Sequence, residues 1–214
     1  MQFPAMHPRP QTGFTLVEMA TVLVIIGLLL GMAFKGKDLI DGAKVKSIYA
    51  STNKIQSAMQ VFFERYQAYP GDGCAADAVS APACTGGAGH DKNGLVEGDT
   101  EPLMFWSMLV KTTGMLAQAD QKMPTGVMWA VAEGVNGSGG TEPDKSWLVA
   151  GSLGEAAVDI RYVCALDQQF DDGDPASGQI RSSVSAGDTR NSYQADVDCW
   201  NKAGLASLAI KLLP

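Results

Sequence analysis

Proline is missing from the whole stretch between Phe14 and Tyr66, so nothing in those residues interrupts a helix through a locked ring or a lost backbone donor. Concentrated positive charge is missing as well. Sixteen Lys and Arg stand against 23 Asp and Glu, a formal net charge of -7. No segment gathers its cations as a phosphate-neutralising surface requires, so a nucleic-acid partner is not expected. Histidine is scarce, with only His7 and His90, and neither a C-x-x-C pair nor a Cys/His cluster occurs, which removes the usual zinc motifs. No internal repeat is visible.

What is present is unevenly spread. The 214 residues, 46% hydrophobic, suffice for one globular head with a core plus one additional element, and not for two comfortable domains. Mean hydropathy is close to neutral, yet one apolar block near the N-terminus carries much of it and the remainder is polar and Gly-rich. That is the profile of an anchored domain. Cys74, Cys84, Cys164 and Cys199 all follow the apolar block, an even number that suits two disulfides in an oxidising compartment. Three pairings are open. Cys74 with Cys84 and Cys164 with Cys199 is favoured, because the first pair brackets a short Ala/Pro-rich loop and the second ties the C-terminal region back to the head.

The apolar block runs from Phe14 to Phe34 with Glu18 as its one charge, about the length a helix needs to cross a bilayer core. A secretory signal has its small-residue cleavage site after the apolar run; here the plausible site, Gly13 followed by Phe14, lies before it. Cleavage there leaves the span on the mature protein. Glu18 is informative, since a carboxylate within an apolar helix costs about 2.5 to 3.5 kcal/mol on insertion scales. Standing one turn from the helix start, it can also complement the helix dipole at the interface.

GFTLVE from Gly13 to Glu18, followed by MATVLVIIGLLLGMAF, resembles the class III signal of type IV pilins and type II secretion pseudopilins. The resemblance implies that a membrane aspartyl peptidase cuts after Gly13 and methylates the new N-terminus at Phe14. It also implies that Glu18, fifth in the mature chain, meets the N-terminal ammonium of a neighbouring subunit during assembly, where each charge is expensive in lipid and cheaper when paired. Implied partners are copies of the chain or other pilins, the prepilin peptidase, the inner-membrane assembly machinery and, before assembly, the bilayer. Two features depart from the family pattern. Major pilins commonly carry a helix-bending Pro just past the span, where this chain has Lys35 and Gly36. Arg9 is the one cation before the span, while Lys35, Lys37, Lys44 and Lys46 follow it, so the positive-inside count opposes the family's orientation. The cysteines and the family together place the leader in the cytoplasm and the head in the periplasm.

Beyond the span, Ile40, Ile48, Ile55, Met59, Phe62, Phe63 and Tyr66 recur near helical spacing, so anchor and first head element form one helix to about Tyr66, roughly 80 Å long. Gly27, Gly31 and Gly36 are points of weakness in it. Tyr69-Pro70-Gly71-Asp72 stops the helix, and a Gly/Ala/Pro-rich loop runs to about Asp99. Asp99 as N-cap and Pro102 in the first turn predict a second helix to about Thr113, with Leu103, Trp106, Leu109 and Val110 on its buried face. Strands are predicted over Val127 to Ala132 and Trp147 to Ala150. Ser152 and Glu155 form an S-x-x-E capping box that predicts a helix to about Gln169, although Val158, Ile160, Tyr162, Cys164 and Leu166 also fit strand alternation. The expected organisation is a leader at 1–13, a transmembrane and filament-core helix at 14–34, its amphipathic continuation at 35–66 and a globular head at 67–214. The fold class is α+β and pilin-like: a long helix on a small antiparallel sheet, with short helices and disulfide-bonded loops.

Chemistry finds little support. AGSLG at Ala150 to Gly154 misses the G-x-S-x-G nucleophile elbow by its first residue, and cleavage at Gly13 leaves His90 as the one histidine. Two acidic loops offer oxygen donors of the kind calcium takes: Asp91, Asn93, Glu97 and Asp99 in one, Asp171, Asp172 and Asp174 in the other. Some heads of the resembled superfamily bind calcium in loops. Neither loop has EF-hand spacing, Asp/Gly-rich turns are commonly just solvated, and Arg181 stands close enough in sequence to neutralise the second. The expected function is a structural filament subunit with no catalytic residue and no cofactor. The competing reading is a membrane-tethered periplasmic binding or enzymatic domain with a prepilin-like anchor.

Overall fold

Leu16 to Tyr66 form one helix, α1, of 51 residues, as the lack of proline allows. The computed structural model describes residues 13–75, 84, 86, 91–134, 145–152, 155–182 and 193–212. By contact density the chain divides into Met1–Asp41 and Gly42–Pro214. In the first unit the described residues are helical from Leu16 on, residues 13–33 lie exposed, and Asp41 is buried.

The second unit is built on the C-terminal half of α1. Val45, Ile48, Thr52, Ile55, Met59 and Phe62 are all buried, a strict alternation of three- and four-residue steps that places them on one stripe. Thr52 satisfies its buried hydroxyl by donating to the Ile48 carbonyl at 3.1 Å. Phe63, counted with the stripe by spacing, is 37% exposed. Ile40, also counted with it, belongs to the first unit and is 59% exposed.

Among the described residues, six short strands form two sheets. Strands β1 (Trp129–Glu133) and β2 (Ser146–Ala150) pair antiparallel from Trp129 opposite Ala150 to Glu133 opposite Ser146. The remaining strands are β3 (Val158–Asp159), β4 (Ile180–Arg181), β5 (Leu205–Ala206) and β6 (Ala209–Lys211). The larger sheet has the order β1-β2-β6-β4, and β3 pairs with β5 separately. Alternation along β1 and β2 sends Trp129, Val131, Leu148 and Ala150 into the main core. Trp147, Val149 and Ala209 form a second cluster on the opposite face, with the Arg181 guanidinium 5.9 Å from the Trp147 ring centroid. The sheet is fastened to α1 by bonds that include Trp129 Nε1 donating to Ser51 Oγ at 3.3 Å and Gln56 Nε2 donating to the Lys211 carbonyl at 3.0 Å.

Two helices start away from their predicted positions. The helix predicted to begin at Pro102 begins at Glu101 as α2 (Glu101–Trp106), with Thr100 at the cap and no side-chain cap bond, so Asp99 does not serve. It then widens into a π-helical turn over Ser107–Thr112. The buried face differs from the one predicted: Met104, Phe105 and Met108 join Trp106 and Leu109 inside, Val110 is partly buried, and Leu103 is 66% exposed.

The helix predicted from Ser152 begins eight residues later, as α3 (Ile160–Phe170), capped by Asp159, whose carboxylate accepts the Arg161 N–H. The Ser152 and Glu155 pair does form half a box, Ser152 N–H donating to Glu155 Oε2 at 2.8 Å. It closes a turn, because the chain then enters β3. Two disulfides complete the head. Cys74 joins Cys84, and Cys164 of α3 joins Cys199, which opens a short 3-10 turn.

Candidate functional site

The first residues of α1 are organised by their own side chains. Thr15 precedes the helix, and its Oγ1 accepts the Glu18 N–H at 3.2 Å. In return Glu18 Oε2 accepts the Thr15 N–H and the Thr15 hydroxyl, each at 2.8 Å. This is a reciprocal capping box that satisfies backbone donors which a helix end otherwise leaves open. Thr15 was not singled out by the sequence reading, although T-x-x-E at Thr15 to Glu18 was there to find. Gly13 and Phe14 lie just outside the helix and are exposed.

Apolar side chains continue from that cap with no cover from the chain itself. The most apolar 18-residue window of α1 has a mean hydropathy of 2.4 and none of it is buried. Leu23 is 69% exposed, Val24 63% and Leu28 61%. A soluble monomer rarely leaves such a surface in water. By length and composition the segment can cross a membrane.

The second acidic loop forms a compact knot of backbone contacts. Asp171 Oδ2 accepts the Gln179 N–H and, at 2.6 Å, the Ile180 N–H. A side chain at Gly178 would collide with that carboxylate. Asp172 accepts the Asp174 N–H at 3.0 Å and the Ser177 hydroxyl at 2.5 Å, and the Ser177 bond foremost holds its carboxyl below the usual range. Asp174 turns to the Ala176 N–H at 2.9 Å. Arg181 donates to the carbonyls of Gly178 and Ala176.

The residue that joins this knot to the core, Asp167 on α3, was not anticipated. It is fully buried and accepts the Gly173 N–H at 3.0 Å and the Tyr193 O–H at 2.8 Å. Burial pushes its carboxyl up to about 6, against the lowering effect of those two bonds. The three carboxylates that come together, with oxygens within 4.8 Å, are Asp167, Asp171 and Asp172; Asp174 is outside that group. These are the residues that could hold a cation, and each already accepts hydrogen bonds from its own loop.

The other acidic loop is organised by two buried carboxylates that spacing did not reveal. Asp72 accepts the N–H groups of Asn93 and Gly94, both at 3.1 Å. Glu101 accepts those of Gly73 and Glu97, both at 3.0 Å. Burial raises the pKa of both. Asn93 and Glu97 bond to each other at 2.9 Å. Gly71 is required where α1 gives way to this loop: it has φ +92° and a Cβ would stand 2.5 Å from the Glu101 carbonyl oxygen.

The near-elbow serine is set in a different context. Gly151 has φ +77°, the Glu155 carboxylate fills the space beside it, and Ser152 donates its backbone N–H to that carboxylate. Leu153, Gly154 and His90 lie outside the described residues.

Comparison with known proteins finds a family match at the N-terminal segment. Residues 8–34 match the family model described as the prokaryotic N-terminal methylation motif. No curated protein matches the chain. Among solved structures, the major type IV pilin PilA1 from Clostridium difficile is similar over 82% of this chain and 98% of its own, with 16% identity and a TM-score of 0.41. The chain thus carries, at residues 8–34, the prokaryotic N-terminal methylation motif.

Proposed function

We propose that the protein is a structural subunit of a type IV pilus-like or secretion filament, assembled from the inner membrane. The observation that carries this reading is the uncovered apolar helix set directly behind the methylation motif. A prepilin peptidase cuts after Gly13 and the new N-terminus at Phe14 is methylated. The helix then waits in the bilayer with its head in the periplasm, where the two disulfides of the head are at home. In the filament, copies of this chain or of other pilins replace lipid around the helix. No catalytic step and no cofactor enter this account.

Glu18 has a defined part in it. In the single chain its carboxylate is satisfied by Thr15, which lowers the cost of holding it near the membrane. On assembly the same carboxylate pairs with the N-terminal ammonium of a neighbour and sets the axial register of the two subunits. Charges that both lose water gain most from a partner of opposite sign.

The test is processing followed by assembly. Co-expressed with a prepilin peptidase, the chain is expected to lose its first 13 residues and to gain a methyl group, read by intact mass. Glu18→Ala is expected to be cleaved like the parent but to be depleted from sheared filaments by about ten-fold or more, the effect of leaving one buried charge without its partner. Retention of the leader, or cleavage after the apolar run, overturns the filament reading. Normal incorporation of Glu18→Ala removes the registering role alone.

A further inference from the structure

The end of the apolar run carries a feature that the filament account leaves unused. Lys35 and Lys37 follow the span directly, both exposed on α1. At 100° per residue they point to nearly opposite sides of the helix. Two cations facing opposite ways suit a medium that surrounds the helix better than one protein docked on one side. The apolar segment preceding them is about one bilayer core in length, so their ammonium groups reach the headgroup level, with the methylene stems lying along the hydrocarbon boundary. Asp38, the next acid along, stands one residue, about 1.5 Å, further up the helix than Lys37, so the level carries two cations and one acid and keeps a net positive charge.

We infer that Lys35 and Lys37 form a girdle that binds anionic phospholipid headgroups on the membrane face from which the helix continues towards the head. This rests on the reading of residues 14–34 as a span. It gives a use to the charge that opposes the positive-inside count: these lysines select the lipids around the anchor, while topology is set by other features of the chain. Each lysine near an anionic surface favours it by a several-fold population ratio, and salt weakens the effect. The girdle therefore holds the subunit in the bilayer until assembly withdraws it, and extraction must strip those headgroups.

Electron spin resonance with spin-labelled lipids tests this on the processed full chain, reconstituted in phosphatidylcholine vesicles. The probes are spin-labelled phosphatidylglycerol and spin-labelled phosphatidylcholine, compared for their share of the motionally restricted lipid around the helix. The expected result is a preference of about five-fold for phosphatidylglycerol at low salt, falling close to parity in 1 M salt and in the double variant Lys35→Gln, Lys37→Gln. Equal association of the two lipids with the parent protein overturns the girdle while leaving the span intact. A preference that survives both salt and the double substitution overturns it too, because the selectivity then belongs to other residues. Complete absence of motionally restricted lipid removes the span, and the girdle with it. The parent protein's own salt series carries the test if the variant is poorly made.

Discussion

The two halves of α1 are one continuous helix with opposite solutions to the same problem. In the C-terminal half, a stripe from Val45 to Phe62 is buried by the head, and the apolar residues off the stripe, Val61 and Phe63, are exposed. In the N-terminal half, apolar residues surround the axis, and the most apolar window is entirely exposed within the chain. Helix propensity is satisfied equally in both, so hydrogen bonding does not separate them. What separates them is cover: the head buries the stripe of one half, whereas nothing among the described residues buries the most apolar window of the other. On the filament reading proposed above, lipid or other subunits cover that second half, and head stability and assembly belong to different segments of one helix.

Substitution in each half should break that comparison if it is wrong. Phe62→Ala removes a fully buried ring from the stripe and is expected to destabilise the head by about 3 to 5 kcal/mol, read from urea melts of the detergent-solubilised protein. Val24→Asp, in the exposed half, should leave the midpoint of the same melts within about 0.5 kcal/mol of the parent while abolishing stable membrane insertion, read by carbonate extraction. A large loss of head stability from Val24→Asp would mean that the first half is structural for the head after all.

The next effect contrasts acid groups in the head. Asp167 is buried among neutral donors with Asp171 and Asp172 close by, and its carboxyl is pushed up from 3.8 to about 6. A carboxyl with a raised folded pKa binds its proton more tightly in the folded state. Between about pH 4 and pH 6 the folded chain thus holds more protons than the unfolded one, and stability falls as pH rises through that window. The shift of about two units sets an upper figure of about 3 kcal/mol. Asp72 and Glu101, also raised chiefly by burial, act in the same direction. Urea melts from pH 4 to pH 8 are expected to show this slope, and Asp167→Asn to flatten it. The amide keeps an acceptor for Tyr193 and carries no charge. An unchanged slope in Asp167→Asn would show that the ionised carboxylate costs the fold nothing.

These particulars also mark how far the sequence could be read. The motif at Gly13 to Glu18, the long helix, the α+β class and strands β1 and β2 were legible because each is a local pattern of several residues. Strand β6 was not, since it has three residues and owes its existence to β2 and β4, both distant in the chain. Helix α3 was misplaced for a related reason: the Ser152 and Glu155 pair has the spacing of a helix start, and its hydrogen bond does form, but pairing of β3 with β5 overrides it and moves the cap to Asp159. The buried carboxylates were invisible because the N–H groups that hold Asp72 are 21 and 22 residues away. At the N-terminus, where the cap is local, only Thr15 was overlooked.

The smallest expected effect belongs to the acidic loop, and it separates a cluster of charges from a metal site. Calcium takes six to eight oxygens at 2.3 to 2.6 Å, and a cation entering between Asp167, Asp171 and Asp172 would have to compete with the donors already there. Asp171 is committed to two backbone N–H groups, Asp167 to Gly173 and Tyr193, and Asp172 to Ser177 and Asp174. Each of those bonds also closes the loop, so freeing an oxygen for calcium loosens the structure that would hold it. Millimolar calcium is accordingly expected to leave the thermal midpoint of the head within about 1 °C of its value in chelator, since binding stabilises only as free ligand exceeds Kd. A rise of several degrees that Asp171→Asn abolishes would establish a cation site, and would make the loop, rather than the stripe of α1, the place where the head is tuned to its surroundings.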